Sequence, residues 1–240
     1  MKHKNILFLV EGESTEKHFI SKAMKTLSGY QPHQIVTTGH EFYQIARELI
    51  SDHYLDTKDL IIELLGEERT EGIRELYFTD IILVYDFDAQ SNQFSESILR
   101  KAQKKFSNST EDGQLFLSYP MFEAYYHIKR LPDYSFLNQT FSYDLGSANY
   151  KNIVHIETEY NDPGILLKKN VFGKLIYLNV QKLNHLLQRK DSEMSIDSKD
   201  FCRLLDIQLK QYHEDHSVFV INTFILFFWT FSSLQYSSEY

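Results

Sequence analysis

The chain has 240 residues, of which 42% are apolar and 24% are charged, and its formal net charge is −8. This composition is ordinary for a globular protein of one large domain, or of a domain with a smaller appendage. The negative charge argues against nucleic-acid binding through a broad positive field, and the single cysteine, Cys202, excludes an intramolecular disulfide and favours a cytoplasmic protein.

Residues 5–10 form a short apolar run that predicts a first buried strand and is too short for a signal peptide. Glu11 follows directly, Gly12 permits a tight turn, and Ser14 is suited to cap a helix that runs to about residue 28. The spacing of apolar residues then predicts a weak strand at 34–38, a helix at 40–53 and two short helices at 60–65 and 73–78.

Residues 80–88 have the sequence DIILVYDFD, which predicts a buried parallel strand that ends in two aspartates. Alternate residues of a strand point to the same face, so Asp86 and Asp88 are expected to project together. Two adjacent carboxylates repel unless a proton or a cation separates them, and their oxygens suit Mg²⁺ or Mn²⁺. The alternative is that one aspartate caps the next helix and the other is solvated.

The pattern beyond this strand predicts a helix at 94–106, a strand at 114–118 and a helix that begins near Pro120. On the last of these helices, Glu123, His127 and Arg130 would share one face. The helix at 94–106 has a basic outer face, for which a solvated surface is favoured over a phosphate-binding patch; its members are Arg100, Lys101, Lys104 and Lys105.

Residues 131–160 show no clear period and are predicted to be irregular, whereas helices are predicted at 162–189, with a break near Gly173, and at 199–212. The apolar stretch 218–231 is shorter than the ~20 residues of a membrane span and Asn222 interrupts it, so it predicts a buried core element and no membrane contact. Residues 232–240 are predicted to form a polar tail. The predicted fold class is α/β, with a mostly parallel sheet flanked by helices in residues 1–130 and a mainly helical region in residues 131–240.

Acidic side chains recur after three predicted strands: Glu11 with Glu16, Asp86 with Asp88, and Glu123. Such a cluster suits phosphoryl chemistry, because two metal ions about 3.5–4 Å apart can stabilise both the attacking and the leaving oxygens. No GxxxxGK[ST] motif occurs, so the chain is not itself a P-loop ATPase.

The segments VEGESTE, DFD and SYPMFE, in that order, resemble the motifs of the Toprim domain, and the set is similar to the RloB-like and OLD-like Toprim proteins of bacterial defence systems. The resemblance covers about residues 4–130 and implies a Toprim-like, Rossmann-like sheet. It implies that Glu11, Asp86 and Asp88 are catalytic and that Mg²⁺ or Mn²⁺ is bound by these three together with Glu16 and Glu123.

The chain departs from the family pattern at Tyr119, where the third motif tends to have Asn. It also has Gln90 where topoisomerases often have a third acid, which argues against a topoisomerase. OLD-like nucleases use a basic residue near the scissile phosphate, and the candidates for binding substrate are His127, Lys129, Lys168 and Lys169. For His127 the alternative is an ordinary hydrogen-bonded histidine.

The resemblance favours a metal-dependent nuclease that cleaves DNA or RNA by a two-metal mechanism, as an effector in anti-phage defence. Because the chain lacks a Walker motif, any controlling ATPase must be a separate protein. A catalytically silent partner subunit of such an ATPase is one alternative, and a small-molecule phosphohydrolase is another. The last third of the chain is assigned to packing, homodimer formation or partner binding.

Overall fold

Five consecutive buried apolar residues form the first strand, β1 (Ile6–Val10), at the centre of a parallel group of three strands. The computed structural model describes residues 5–26, 32–39, 42–52, 54–146, 149–190 and 192–231. β1 pairs in parallel with β2 (His33–Thr37) on one side and with β3 (Asp80–Asp86) on the other. Val10 lies opposite both Thr37 and Val84, so the carboxyl ends of the three strands are in register.

Three further strands complete the main sheet, whose order is β2-β1-β3-β5-β4. The short β4 (Ser107–Asn108) is antiparallel to β5 (Gly113–Tyr119), and β8 (Ile221–Asn222) is antiparallel to the last residues of β5. The mostly parallel sheet with flanking helices confirms the predicted α/β class.

Contacts divide the chain into two compact units, and β3 and β5 each pass from one unit to the other. The first unit contains the described residues up to Tyr85, together with Gln93–Phe116. The second contains Asp86–Asn92 and the described residues from Leu117 onwards, so the boundary predicted at residue 130 falls within it.

Four helices belong to the first unit: α1 (Thr15–Thr26), α2 (Phe42–Ser51), α3 (Thr57–Arg74) and α4 (Glu96–Lys105). The predicted ends at residues 28, 40 and 53 lie outside the described residues. The prediction of two short helices at 60–65 and 73–78 was wrong, since one element runs to Arg74 and is interrupted only at Gly66, whose φ is +73°. Residues 76–78 are not helical.

In the second unit, the chain that follows β5 forms 3₁₀ turns and not the helix predicted after Pro120. Pro120 follows a cis peptide bond, and η1 (Phe122–Tyr126) ends before His127, so the predicted helical face of Glu123, His127 and Arg130 was wrong. The segment predicted to be irregular contains an α-helix, α5 (Tyr150–Glu157). Its other elements are η2 (Tyr134–Asn138), β6 (Thr140–Ser142) and η3 (Tyr143–Leu145).

Helices make up most of the remaining chain, as predicted. η4 (Pro163–Ile165) precedes α6 (Lys169–Leu186), which is continuous through Gly173, so the predicted break there was wrong. α7 (Ser198–Asp215) is followed by β7 (Ser217–Phe219), which pairs with β6, and by α8 (Phe224–Phe231). The stretch 218–231 is largely buried, as predicted, although its first residues form two short strands. None of the described helices is both long and apolar enough to cross a membrane.

One lysine of α6 lies entirely inside the second unit. The Lys182 ammonium donates hydrogen bonds to the carbonyl oxygens of Phe136 and of Gln139, the latter at 3.0 Å. It also lies 4.2 Å from the centroid of the Phe136 ring. Burial lowers the pKa of Lys182 well below its usual value, and the nearby Asp133 carboxylate opposes this shift. Lys182 therefore joins α6 to η2.

Candidate functional site

In the first unit, Glu11 follows β1 directly and is half-buried. The negative charge of its carboxylate affects the ionisation of the Tyr85 hydroxyl. Burial raises the pKa of that hydroxyl most strongly, a hydrogen bond with Thr38 lowers it, and the charge of Glu11 raises it further. The strand-end position predicted for Glu11 is thus confirmed, and its predicted catalytic role stays a prediction.

Glu16 lies in the first turn of α1 and folds back over the turn that joins β1 to the helix. A Cβ atom placed on Gly12 would be 2.6 Å from Oε1 of Glu16, which is closer than carbon and oxygen can approach. Gly12 therefore leaves room for the Glu16 carboxylate in this position.

We expect Gly12→Ala to displace the Glu16 carboxylate without preventing folding, because only the flexible end of a side chain must move. In a Glu16→Ala background the same change should stabilise the chain by about 0.4–1 kcal/mol, through reduced entropy of the unfolded state. Urea unfolding of the two single variants and the double variant measures this coupling. If Gly12→Ala changed the free energy of unfolding equally with and without Glu16, the Glu16 carboxylate would not lie against Gly12.

In the second unit, Asp86 and Asp88 flank Phe87 at the end of β3. Phe87 is fully buried and both aspartates are half-buried, an alternation that places the two carboxylates on the same side. The backbone amide of Phe87 donates to the Ser118 carbonyl at 2.8 Å, so the extended pairing continues past β3. The predicted common orientation of Asp86 and Asp88 is consistent with this alternation.

Tyr143 lies against this aspartate pair. Its hydroxyl donates to the carbonyl oxygen of Phe87 at 2.9 Å. Burial raises the pKa of Tyr143, and the charges of Asp88 and Asp86 raise it further, so both carboxylates act on the same hydroxyl. Gln90 donates from Nε2 to the Tyr143 carbonyl at 3.1 Å, a bond that an aspartate at position 90 could not make.

Glu123 supplies the third carboxylate of this unit and is 5% exposed. Its Oε1 lies 2.9 Å from Nζ of Lys151, and the two groups form an ion pair. The charges of Glu123 and Asp86 both raise the pKa of Tyr150, after the larger contribution of burial. The negative charges of Asp86, Asp88 and Glu123, which we call the acidic cluster, thus raise the pKa of Tyr143, of Tyr150 or of both.

His127 is buried, and both of its ring nitrogens have partners. Nδ1 lies 3.0 Å from the Tyr150 hydroxyl, and Nε2 lies 2.9 Å from Oε2 of Glu157, whose side chain is 49% exposed. This environment matches the hydrogen-bonded alternative for His127 better than the substrate-binding one.

The free energy of unfolding should fall as the pH drops below about 6.5, which is the usual pKa of a histidine side chain. Burial lowers the pKa of His127, and Lys182 lowers it too, whereas Glu157 and Asp133 raise it. Because the folded pKa is below the unfolded one, the unfolded chain binds the proton first and acid favours unfolding. Urea unfolding between pH 7.5 and 5.5 should give a smaller slope for His127→Phe than for the wild type. The exposed His155→Gln serves as control, and equal slopes for wild type and His127→Phe would contradict this prediction.

The three lysines predicted to bind substrate are exposed residues of the second unit, and two of them, Lys168 and Lys169, are adjacent in the sequence. Lys129 follows η1, and its backbone amide donates to Asp133 at 2.8 Å. Lys168 is the residue before α6, and Lys169 is the first residue of that helix. Their predicted role stays a prediction.

Three residues next to the acidic cluster escaped the sequence analysis: Tyr143, Tyr150 and Lys151. All lie in the segment predicted to be irregular. Tyr150, Ile153, Val154 and Glu157 follow helical spacing, and this short pattern was the one signal that could have revealed α5.

Within the described residues, no group of three or more His, Cys, Asp or Glu side chains is arranged to hold a metal ion. The donors of the acidic cluster nevertheless fit Mg²⁺ or Mn²⁺ in kind, because all are carboxylate oxygens. Mg²⁺ is usually bound by one or two carboxylates, with water and substrate phosphates as its other ligands. Asp86 and Asp88 could supply such a pair.

Comparison with known proteins gives no relative. No family model, curated protein or solved structure matches this chain.

Proposed function

We propose that this chain is a metal-dependent nuclease of the Toprim type, which hydrolyses phosphodiester bonds of DNA or RNA. The observation that carries the proposal is the pair Asp86 and Asp88, two half-buried carboxylates on either side of the buried Phe87 at the end of β3. Concentrated negative charge of this kind costs free energy unless a cation offsets it.

In this proposal Asp86 and Asp88 hold Mg²⁺ or Mn²⁺. The bound ion would offset the charge of the phosphate and lower the pKa of an attacking water. Tyr143 holds the turn after β3 through its bond to the Phe87 carbonyl and so fixes the spacing of the two aspartates. Glu123 already binds one cationic group, the ammonium of Lys151, which supports its suitability for charge compensation.

The test is a cleavage assay with the purified chain. Supercoiled plasmid, single-stranded DNA and structured RNA are each incubated with Mg²⁺, Mn²⁺ or EDTA. We expect cleavage of at least one substrate with either metal and none with EDTA, and the substrate that is cut decides between DNA and RNA.

Failure to cut any substrate would contradict the nuclease proposal for the isolated chain. It would favour the alternative that the chain is a subunit controlled by a separate ATPase. The assay would then be repeated in the presence of the proteins that the neighbouring genes encode. Hydrolysis of p-nitrophenyl phosphate without cleavage of nucleic acid would instead favour a phosphohydrolase.

A further inference from the structure

A small cavity, which we call the ring pocket, lies in the second unit between α6 and the segment that leads into η2. Its volume is about 130 Å³, and it is partly open to solvent. A cavity of about 150 Å³ can hold one benzene ring, so this open pocket of similar size admits one planar ring. Its walls are formed by Leu131, Pro132 and Tyr134 from the segment at the start of η2 and by Lys174, Tyr177 and Gln181 from α6.

The walls of the ring pocket suit a flat ligand that has a polar edge and a negative charge. Tyr134 is 69% exposed and Tyr177 is half-buried, so both tyrosines have apolar area that a flat ring can cover by stacking. Gln181 carries an amide that can both donate and accept hydrogen bonds, and Lys174 is exposed and positively charged. A nucleobase that is joined to phosphates has all three of these properties.

The charge of α6 favours a polyanion as the ligand. Residues 163–190, which include the whole helix, contain no Asp or Glu, although the chain has 33 acidic residues and a net charge of −8. The exposed basic residues of this stretch are Lys168, Lys169, Lys174 and Lys190. The other wall contains one acid, Asp133, which is buried and accepts hydrogen bonds from the amides of Lys129 and Ser135. The exposed charges that α6 contributes are therefore all positive.

Both walls of the ring pocket are held in place before a ligand binds. Lys182 of α6 donates to the carbonyl oxygens of Phe136 and Gln139 and so joins the helix to η2. The Leu131 amide donates to the Tyr160 hydroxyl at 3.0 Å, which fixes the start of the other wall. A pocket that is already formed loses less conformational entropy on binding.

We infer that the ring pocket binds one base of a single-stranded nucleic acid, whose phosphates lie beside the exposed lysines of α6. Proteins that bind single strands without sequence preference combine aromatic rings, on which bases stack, with a positively charged surface. A base within a duplex is paired and stacked on its neighbours, so it cannot enter the ring pocket. The inference rests on the proposed function in so far as the bound strand is the one that is cleaved, and it names the substrate class as single-stranded DNA or RNA.

A proline-rich peptide is another ligand that aromatic-lined grooves bind. Such a peptide gains nothing from a helix that carries lysines and no acid. The charge of residues 163–190 therefore favours nucleic acid over a proline-rich peptide.

The test is fluorescence anisotropy of labelled oligo(dT) and oligo(U) with the full chain, in EDTA so that no metal-dependent cleavage occurs. Either single strand should bind more tightly than oligo(dT) annealed to oligo(dA). Tyr134→Ala should weaken single-strand binding about 5–150-fold, the equivalent of about 1–3 kcal/mol for one stacked base. Tyr134→Trp keeps a stacking face and should bind at least as tightly as the wild type. Tyr77→Ala is the matched control, because Tyr77 is an 83% exposed tyrosine of the first unit, and it should bind like the wild type.

The salt dependence of binding tests the role of the lysine in the ring pocket. Lys174→Gln should weaken single-strand binding and reduce the slope of log K against log salt concentration by about 0.7, the value for one phosphate contact on a single strand. Lys210→Gln is the control, because the Lys210 side chain is 72% exposed on α7, and it should leave the slope unchanged. Both positions are exposed, so neither change endangers folding.

The outcomes separate the inference from the function. A wild-type chain that binds no oligonucleotide, a duplex that binds as tightly as a single strand, or a Tyr134→Ala variant that binds like the wild type would overturn the inference. So would a ring pocket that binds a proline-rich peptide and not the oligonucleotide. Binding of single strands that depends on Tyr134, without cleavage of any nucleic acid, would support the inference and refute the nuclease. Cleavage of duplex plasmid alone would support the nuclease and refute the inference.

Discussion

Asp86→Asn is expected to remove metal-dependent cleavage almost completely, by about 10²–10³-fold, the cost typical of deleting one electrostatic group from an active site. Asparagine has nearly the same size as aspartate, so the end of β3 should keep its backbone and the buried Phe87 its place. What is lost is one negative charge of the pair that acts on Tyr143. The measurement is the initial rate of nucleic-acid cleavage in Mg²⁺ and in Mn²⁺.

Asp59→Asn is the matched control, because Asp59 is exposed in the first turn of α3 and belongs to the other unit. It should cleave at the wild-type rate. The free energy of unfolding of Asp86→Asn should equal or exceed that of the wild type, since a neutral side chain relieves repulsion from Asp88. A variant that is well folded and fully active would exclude Asp86 from the reaction.

Asp200→Ala is expected to cost about 3–5 kcal/mol of stability, the range for breaking a buried ion pair on one side. Asp200 is 2% exposed and forms an ion pair with Arg189, whose side chain is itself largely buried. Its Oδ2 also accepts the backbone amide of Asp197 at 3.0 Å, while the Asp197 side chain caps α7. One substitution therefore removes a capping contact and leaves a buried guanidinium without this partner.

Urea unfolding of the full chain measures this cost. Asp215→Ala is the control, because it removes an exposed carboxylate at the other end of α7 that accepts a hydrogen bond from Gln211. The double variant Arg189→Met/Asp200→Ala should be more stable than Asp200→Ala alone, since no unpaired charge remains buried. A cost below about 1 kcal/mol for Asp200→Ala would show that the pair is solvated.

Elements whose pattern is local were predictable from the sequence. β1 and β3 are uninterrupted apolar runs, and α7 has a capping aspartate followed by helical spacing. α5 was missed because only Tyr150 and Val154 of its eight residues are buried, too few to reveal a period. η1 was predicted as a longer helix because Pro120 suits the first turn of a helix, a signal that does not fix how far the helix continues.

The acidic cluster was predictable only in part. Asp86 and Asp88 stand out in the sequence because they directly follow a run of buried apolar residues, a pattern that involves only neighbouring residues. The side chain of His127 contacts Tyr150 and Glu157, which follow it in the sequence by 23 and 30 residues. Contacts over such distances are set by how the elements pack, and no local pattern specifies them.

The buried Lys182 has a consequence for chemical labelling. No acylating reagent can reach the Lys182 side chain in the folded protein, because its nitrogen is fully buried and bonded to two carbonyl oxygens. Exposed lysines such as Lys129 and Lys168 should react within the first minutes, whereas Lys182 should react only when α6 separates from η2. The rate at which Lys182 is acylated would therefore report how often the interior of the second unit opens.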